Sequence, residues 1–464
     1  MSMNTISHYK QTIQEHSAEY AVREALESGR KDTHNVFISL YEERALARAR
    51  QVDEGTVSGR LAGVPFVAKD NFLTLGGATT AASHFLENFH APLQATAVEK
   101  LEAEGAICIG KVNLDAFAHG GSTENSAYGV TKNAHDTARV AGGSSGGSAV
   151  AVALGTVPFA LGTDTGGSIR QPASFNGVVG IKPTYGAVSR YGVVAMASGT
   201  DTIGVLASTV SDTELLLEVL SGQDERDMTT LPDYFIPQDK PTGKKIGLIK
   251  EFMADGIDEE VSAQILSAVE KLQSDGYEIE EVSMPMLKYA LAIYYIVVPA
   301  EISSNLARYD GIRYGTQKGN DGSLQDVYEM SRQAGFEAEN KRRIIIGSFV
   351  LSSGSFDAYY QKAQKARTLL IREFNDLFER YDALIGPVAP ETAFKIGQNT
   401  EDPLKMYLED VMTVPPSLAG LPAVSVPVGK TKDGLPVGLQ IIGKRRDDAQ
   451  ILAVARDVEA QYGQ

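Results

Sequence analysis

Between residues 61 and 210 short apolar runs alternate with glycine-bearing loops and helical stretches, the pattern of an α/β layered fold. Upstream, residues 4–28 and 36–53 predict helices that carry acidic and basic residues on their outer faces. Downstream, residues 244–249 predict a strand, and Val261, Ile265, Val269 and Leu272 then recur at helical spacing as one apolar stripe. Residues 357–380 predict one long helix. Strands are expected at 383–386, 423–428 and 437–442, before a closing helix from about residue 447. No low-complexity linker, internal repeat or Pro/Ser-rich hinge divides the 464 residues.

Two glycine-serine segments stand out, Gly142-Gly143-Ser144-Ser145-Gly146-Gly147-Ser148 and Gly162-Thr163-Asp164-Thr165-Gly166-Gly167-Ser168-Ile169-Arg170. Glycine clusters let backbone N–H groups converge on one point, which suits a phosphate or a developing oxyanion. Neither segment ends in the Lys-Ser/Thr of a phosphate-binding loop. A near match, Gly105-Ala106-Ile107-Cys108-Ile109-Gly110-Lys111-Val112, fails because Val112 offers no oxygen to a metal and 106–109 reads as a buried strand. The serines point to a nucleophile beside an oxyanion site. Gly142 to Gly146 also fits the nucleophile elbow of α/β-hydrolases, a fold that needs its histidine after the serine. All seven histidines (8, 16, 34, 84, 90, 119, 135) precede Ser144, so the elbow is rejected. A histidine-first triad with His84, His90, His119 or His135 stays formally open, but no glycine-framed or acidic context marks any of the four out, and each reads better as a surface or packing residue.

A neutral lysine can activate a serine without histidine, and burial lowers a lysine's pKa by disfavouring the ammonium. Lys69, in Gly63-Val64-Pro65-Phe66-Val67-Ala68-Lys69-Asp70-Asn71, follows an apolar strand-like run and would emerge from the core. Taken alone it reads more often as a satisfied structural lysine; the two serine loops give it weight.

Lys69, Ser144 and Ser168, with Gly-Gly-Ser-Ser-Gly-Gly-Ser and Asp-Thr-Gly-Gly-Ser-Ile-Arg-Gln-Pro-Ala around the serines, resemble the amidase signature family. The resemblance implies a single large α/β/α domain over 1–464, layered around a central mixed β-sheet. In that domain 1–60 is an N-terminal helical segment, 61–210 the core with the catalytic loops, 225–345 a helix-rich cap, and 380–464 completes the core. It also implies that Ser168 is the nucleophile, Ser144 the bridging serine and Lys69 the general base. The oxyanion would be held by the N–H groups of Thr165, Gly166 and Gly167. Motifs in the second half, including Ser303-Ser304-Asn305-Leu306-Ala307-Arg308-Tyr309-Asp310-Gly311 and Lys341-Arg342-Arg343, are similar to the glutaminase subunits of tRNA-dependent amidotransferases. That likeness implies glutamine as substrate and two partner subunits, B and C, in a heterotrimer. The partner would hold misacylated tRNA and use ATP and Mg²⁺; this chain would need no cofactor or metal. It further implies Arg343 for the substrate carboxylate, Asp410 for its ammonium, and a weaker contact at Tyr294 or its neighbour Tyr295. The sequence departs from the usual pattern of these subunits at His119, where methionine is usual, at Ala134-His135, Ala141 and Ser417, and in having no tryptophan.

Composition changes this picture little. The formal net charge is −16, so a basic stripe for gripping nucleic acid is not expected. Lone Cys108 excludes an internal disulfide and reads as a buried thiol. Met1 to Lys10 is polar with no apolar run after it, and no segment reads as a membrane span, so a cytoplasmic enzyme is expected. A stand-alone amidase of small aliphatic or aryl amides remains the alternative, as does an assembly protein with a fossil site.

Overall fold

Nine of the eleven strands in the computed structural model of the chain are mostly buried, and together the eleven make one mixed sheet. The structure describes residues 5–232, 234–254, 256–319, 322–400 and 403–462, the side chain of residue 403 excepted. In chain order the strands are β1 (Phe37–Leu40), β2 (Pro65–Lys69), β3 (Ile107–Val112), β4 (Phe159–Asp164), β5 (Val179–Lys182) and β6 (Thr202–Ala207). They continue with β7 (Lys245–Ile249), β8 (Glu278–Val282), β9 (Ala383–Pro387), β10 (Ala423–Lys430) and β11 (Pro436–Ile442). Across the sheet the order is β1-β3-β2-β4-β6-β5-β10-β11-β9-β7-β8. The pairs β2/β3, β2/β4, β7/β8 and β7/β9 are parallel and the rest antiparallel.

Alternation along β2 sends side chains to two different cores. Phe66 and Ala68 join one apolar cluster, with Cys108, Phe159 and Leu161. Val67 joins the other, with Ile107, Ile109 and the helix Gly146–Ala153. Both faces of the sheet are therefore covered, as the continuous apolar strands require. Cys108 is buried as expected, and burial pushes its thiol up to about 11.

Several expectations are corrected. Residues 4–28 form two helices, Ile6–Glu15 and Ala18–Arg30, because the Ser17 side chain accepts from Tyr20 N–H and caps the second; residue 4 lies outside the described residues. The 36–53 stretch opens with β1, an edge strand paired to β3, before the helix Glu42–Asp53. The 225–345 region does contain the helices Ala290–Leu306, Leu324–Gly335 and Ala338–Val350, but it also supplies β7 and β8 to the central sheet. The 357–380 helix begins with a π turn at Phe356–Gln361 before α-helix Lys362–Phe378. The stripe Val261, Ile265, Val269, Leu272 is buried throughout, as predicted.

The sequence suggested no membrane-length run, yet the helical span Pro285–Leu306 covers 22 residues and is apolar enough by composition to cross a bilayer. Its burial explains the composition: 56% of its apolar window lies inside the protein. There it packs on helices Ala338–Val350 and Lys362–Phe378. Gly347 makes the first contact possible, since a Cβ there would collide with the Pro299 carbonyl.

Candidate active site

The parallel strands β2 and β4 end side by side, and their carboxyl ends carry Lys69 and Asp164. Lys69 shares the face of Val67, so it points at the loop that precedes helix Gly146–Ala153. That loop holds Ser144 after a cis Gly143–Ser144 peptide. Gly143 has no alternative, because a Cβ would strike the Asp115 carboxylate and the backbone of Ser122. Its N–H donates to Gln171 Oε1 at 2.9 Å, tying the loop to the segment that follows Ser168.

Lys69 Nζ lies 2.7 Å from Ser144 Oγ, 2.9 Å from Ser145 Oγ and 2.9 Å from Thr163 Oγ1. All these atoms belong to buried residues. Burial pushes the ammonium down to about 7, partly offset by the charges of Asp115, Asp164 and Asp201. The two serines differ in their freedom. Ser145 Oγ donates to the Thr163 carbonyl at 3.2 Å, so its hydrogen is committed. Ser144 Oγ has Lys69 as its one protein partner among the described residues. A hydroxyl free to pass a proton is thus the first of the pair.

Ser168 sits between β4 and the helix Arg170–Asn176 and is 9% exposed, whereas Lys69 and Ser144 are at 0%. The loop around it is organised by Asp164. Its carboxylate accepts from Gly167 N–H at 2.8 Å, from Ile169 N–H at 3.2 Å and from two nitrogens of Arg170 at 3.0 and 2.9 Å. Burial alone would raise Asp164, but the Arg170 guanidinium outweighs it and holds the carboxyl below its ordinary value. Arg170 in turn donates to Gln440 and to Ser417, so the Ser417 departure completes an arginine's partners.

This arrangement corrects one expectation. The Gly167 N–H is already taken by Asp164 and cannot also face an oxyanion. Among the described residues no hydrogen bond engages the N–H groups of Thr165, Gly166 or Ser168. The free donors therefore sit on either side of Gly167. Gly167 still has to be glycine: its φ is +145°, and a Cβ would meet the Thr413 side chain. Thr413 Oγ1 donates to Gly166 O at 2.7 Å, which turns the peptide that follows Gly166.

Arg343, Asp410, Tyr294 and Tyr295 converge beside this loop. Arg343 is 4% exposed, with Nε donating to Glu339 Oε1 at 2.8 Å. Its Nη nitrogens meet no protein acceptor among the described residues. Its guanidinium lies over the rings of Tyr295 and Tyr407, 5.6 and 5.9 Å from their centroids. Burial works against its charge, but Glu339 and the tyrosines more than restore it. Tyr295 Oη donates to Asp410 Oδ2 at 3.2 Å. Burial pushes Asp410 up to about 7 against the pull of Arg343. Tyr294 Oη is packed over Gly166, where an added Cβ would come within 2.6 Å of it. The adjacent tyrosines thus do different things: 294 touches the loop that carries Ser168 and 295 the acid.

The sequence reading missed Asp164, Arg170, Gln171 and Thr163. Thr163, Asp164 and Arg170 lie inside the second glycine-serine segment and Gln171 directly follows it; a buried Asp–Arg pair six residues apart was the available signal. His119, read as a packing residue, lines a cavity of about 210 Å³ with Gly121, Glu339, Arg343 and Tyr407.

A family model described as Amidase matches residues 21–452. Over 432 residues the chain is 52% identical to the A subunit of glutamyl-tRNA(Gln) amidotransferase from Geobacillus thermodenitrificans (strain NG80-2), covering 91% of this chain and 89% of that one. It is 50% identical over 434 residues to the protein of the same name from Koribacter versatilis (strain Ellin345), covering 92% and 90%. Among solved structures, the A subunit of glutamyl-tRNA(Gln) amidotransferase from Thermotoga maritima aligns with a TM-score of 0.82 at 42% identity, over 98% of this chain and 94% of that one.

Proposed function

The chain belongs to the amidase family, and on that premise we propose that it is the glutaminase component of a tRNA-dependent amidotransferase. The observation that carries the chemistry is the fully buried Lys69 hydrogen-bonded at 2.7 Å to Ser144. Ser168 Oγ attacks the carboxamide carbon of glutamine as its proton passes to Ser144 and from Ser144 to neutral Lys69. The carbonyl π pair moves to oxygen, which faces the free N–H groups of Thr165 and Gly166, and each such donor is worth about 3 kcal/mol of barrier. The relay reversed delivers the proton to nitrogen as the C–N bond breaks and ammonia leaves. Water, giving its proton to the same relay, then cleaves the acyl ester to glutamate. Arg343, with its unengaged Nη groups, holds the α-carboxylate and Asp410 the α-ammonium.

Likeness to proteins named as one lettered subunit of an amidotransferase supports assembly with other subunits. Partners B and C complete a heterotrimer in the cytoplasm. One of them uses ATP and Mg²⁺ with the released ammonia to amidate Glu-tRNA(Gln), Asp-tRNA(Asn) or both. The net charge of −16 suits a component that leaves the tRNA to its partner. The test is to co-express the chain with its partners and follow glutamate release. The complex should hydrolyse glutamine faster with misacylated tRNA and ATP, and S168A should abolish release. Brisk hydrolysis of simple aryl or fatty amides by the isolated chain, with glutamine ignored, would overturn the reading.

A further inference from the structure

His119 follows the short helical turn Ala116–Ala118, in which Phe117 and Ala118 both adopt left-handed backbone, φ 54° and 64°. Two consecutive non-glycine residues in that region are strained, and such segments persist where the surroundings hold a side chain in place for use. Here the surroundings do hold it. His119 N–H donates to Ala116 O at 3.0 Å, and its carbonyl accepts from Asn125 Nδ2 at 2.9 Å. The residue is 0% exposed.

Asn340 settles which ring nitrogen carries the proton. Its Oδ1 accepts from Glu337 N–H at 3.2 Å and its Nδ2 donates to Ala116 O at 2.8 Å, so the amide cannot be turned over without losing both bonds. The same Nδ2 lies 2.7 Å from His119 Nδ1. Nδ1 is therefore an acceptor, and the neutral ring bears its hydrogen on Nε2. Burial, with the Arg343 charge nearby, holds the imidazole well below its ordinary pKa and keeps it neutral. Nε2 is buried and has no hydrogen-bond partner among the described residues. Leaving such a donor unsatisfied is costly, and a bound acceptor would relieve it.

Arg343 lines the same cavity of about 210 Å³ with its Nε anchored to Glu339 and its Nη nitrogens free. The charged guanidinium of Arg343 and the neutral ring of His119, whose unpaired Nε2 is itself shielded from solvent, thus line one space large enough for a small ligand's head. A carboxylate offers two oxygens, one for each donor. A second cation would be repelled by Arg343; a neutral imidazole adds a hydrogen bond without that cost. Gly121 joins this space to Asp410, whose Oδ1 lies 3.8 Å from the position of a Gly121 Cβ.

We propose that His119 Nε2–H is a substrate-binding donor that shares the α-carboxylate of the amide substrate with Arg343 and sharpens selection for substrates that carry one. This rests on the glutamine reading above and adds a specificity residue to it.

The test uses the assembled complex with two amides, glutamine and 4-aminobutanamide, which is glutamine without its α-carboxylate. The unaltered complex should favour glutamine in kcat/KM. H119M should raise KM for glutamine about tenfold, equivalent to about 1.4 kcal/mol, with kcat held within about twofold. KM for 4-aminobutanamide should not move. H119Q, whose side-chain amide can place an N–H near the Nε2 position, should recover most of the glutamine KM. H119F repeats the deletion should H119M fail to assemble. Equal losses on both amides would show a packing role and overturn the proposal; unchanged KM for glutamine would overturn it too. If the unaltered complex does not distinguish the two amides, the glutamine reading falls and this proposal with it. If that preference survives H119M undiminished, the role of His119 alone falls.

Discussion

Lys69 and Lys111 occupy neighbouring strands, the third and second from one edge of the sheet, both 0% exposed, yet they live in opposite electrostatic worlds. Lys111 Nζ lies 2.7 Å from Asp70 Oδ1 and also donates to Phe72 O and Thr79 Oγ1. Lys69 has hydroxyls and a carbonyl around it and no carboxylate in contact among the described residues. The register shows how adjacent residues are kept apart. A bulge shifts the β2/β3 pairing between Phe66↔Cys108 and Val67↔Gly110, so Ala68 sits opposite Lys111 and Lys69 opposite Val112. Lys111 therefore shares the face of Ala68, while Lys69 faces the serine loop. Asp70, one residue past Lys69, alternates to the Lys111 side. Without that bulge Lys111 would turn to the other face, and Asp70 would lose its cation. A buried lysine given a carboxylate is part of the scaffold; one given only hydroxyls is kept close to losing its proton.

The largest expected effects come from removing each amine in turn. Lys69→Met should lower glutamine hydrolysis about 10,000-fold, as should Ser168→Ala, because relay groups act as a unit. The double variant should lose little more. Lys111→Met should instead destabilise the protein by about 3–5 kcal/mol, since it strands the Asp70 carboxylate in the core, while the molecules that remain folded keep their turnover. Denaturant unfolding beside steady-state kinetics reads both. Severe loss of turnover in folded Lys111→Met would erase the distinction.

The pH dependence sharpens it. Lys69 has a folded value of about 7, far below the ordinary 10.5. In the window between those two values the unfolded chain binds a proton that the folded chain refuses, so wild-type stability is lost as pH falls from 10.5 to 7. Relative to wild type, Lys69→Met should gain about 1.4 kcal/mol per pH unit across that window, about 5 in all, and level off below pH 7. The same titration sets catalysis: kcat should fall tenfold per unit below about pH 7, where the amine is protonated and cannot accept from Ser144. Asp410 also titrates near 7 but should show itself in KM, because a bound ammonium keeps it ionised in the complex. Asp410→Asn should flatten the KM profile and leave the kcat limb in place.

How much of this was legible in the sequence follows the same division. Lys69, Ser144 and Ser168 lie in motifs whose glycines are forced by close backbone approach, as at Gly143, so local spacing carried the signal. Strands of the core, such as β7 and β11, were legible from apolar runs. What was not legible depends on contacts distant in sequence or on backbone geometry. The commitment of Gly167 N–H to Asp164 is invisible in a string that shows three equivalent amides. The tie from His119 to Asn340 spans 221 positions. The β2/β3 bulge leaves no mark in Ile-Cys-Ile-Gly-Lys-Val beyond a glycine. Edge strand β1 was read as the start of a helix because four residues are too few to display a period.

The gentlest test compares the two hydroxyls that serve these amines. Thr163 Oγ1 lies 2.9 Å from Lys69 Nζ and also accepts from Asn71 Nδ2 at 3.1 Å. Thr79 Oγ1 accepts from Lys111 Nζ at 3.2 Å and donates to Phe72 O. Valine keeps the shape of threonine and deletes the oxygen in each case. Thr79→Val should cost about 1 kcal/mol of stability and leave turnover as it was, since the Asp70 carboxylate still pairs with Lys111. Thr163→Val removes an oxygen that steadies the Lys69 ammonium, so the kcat limb should move to lower pH by roughly a few tenths of a unit. It should also slow turnover about three- to tenfold at the plateau, because the amine loses a partner that orients it on Ser144. If Thr79→Val shifts the kcat profile as much as Thr163→Val does, the two lysines share one electrostatic environment and the partition of the sheet into scaffold face and reacting face is wrong.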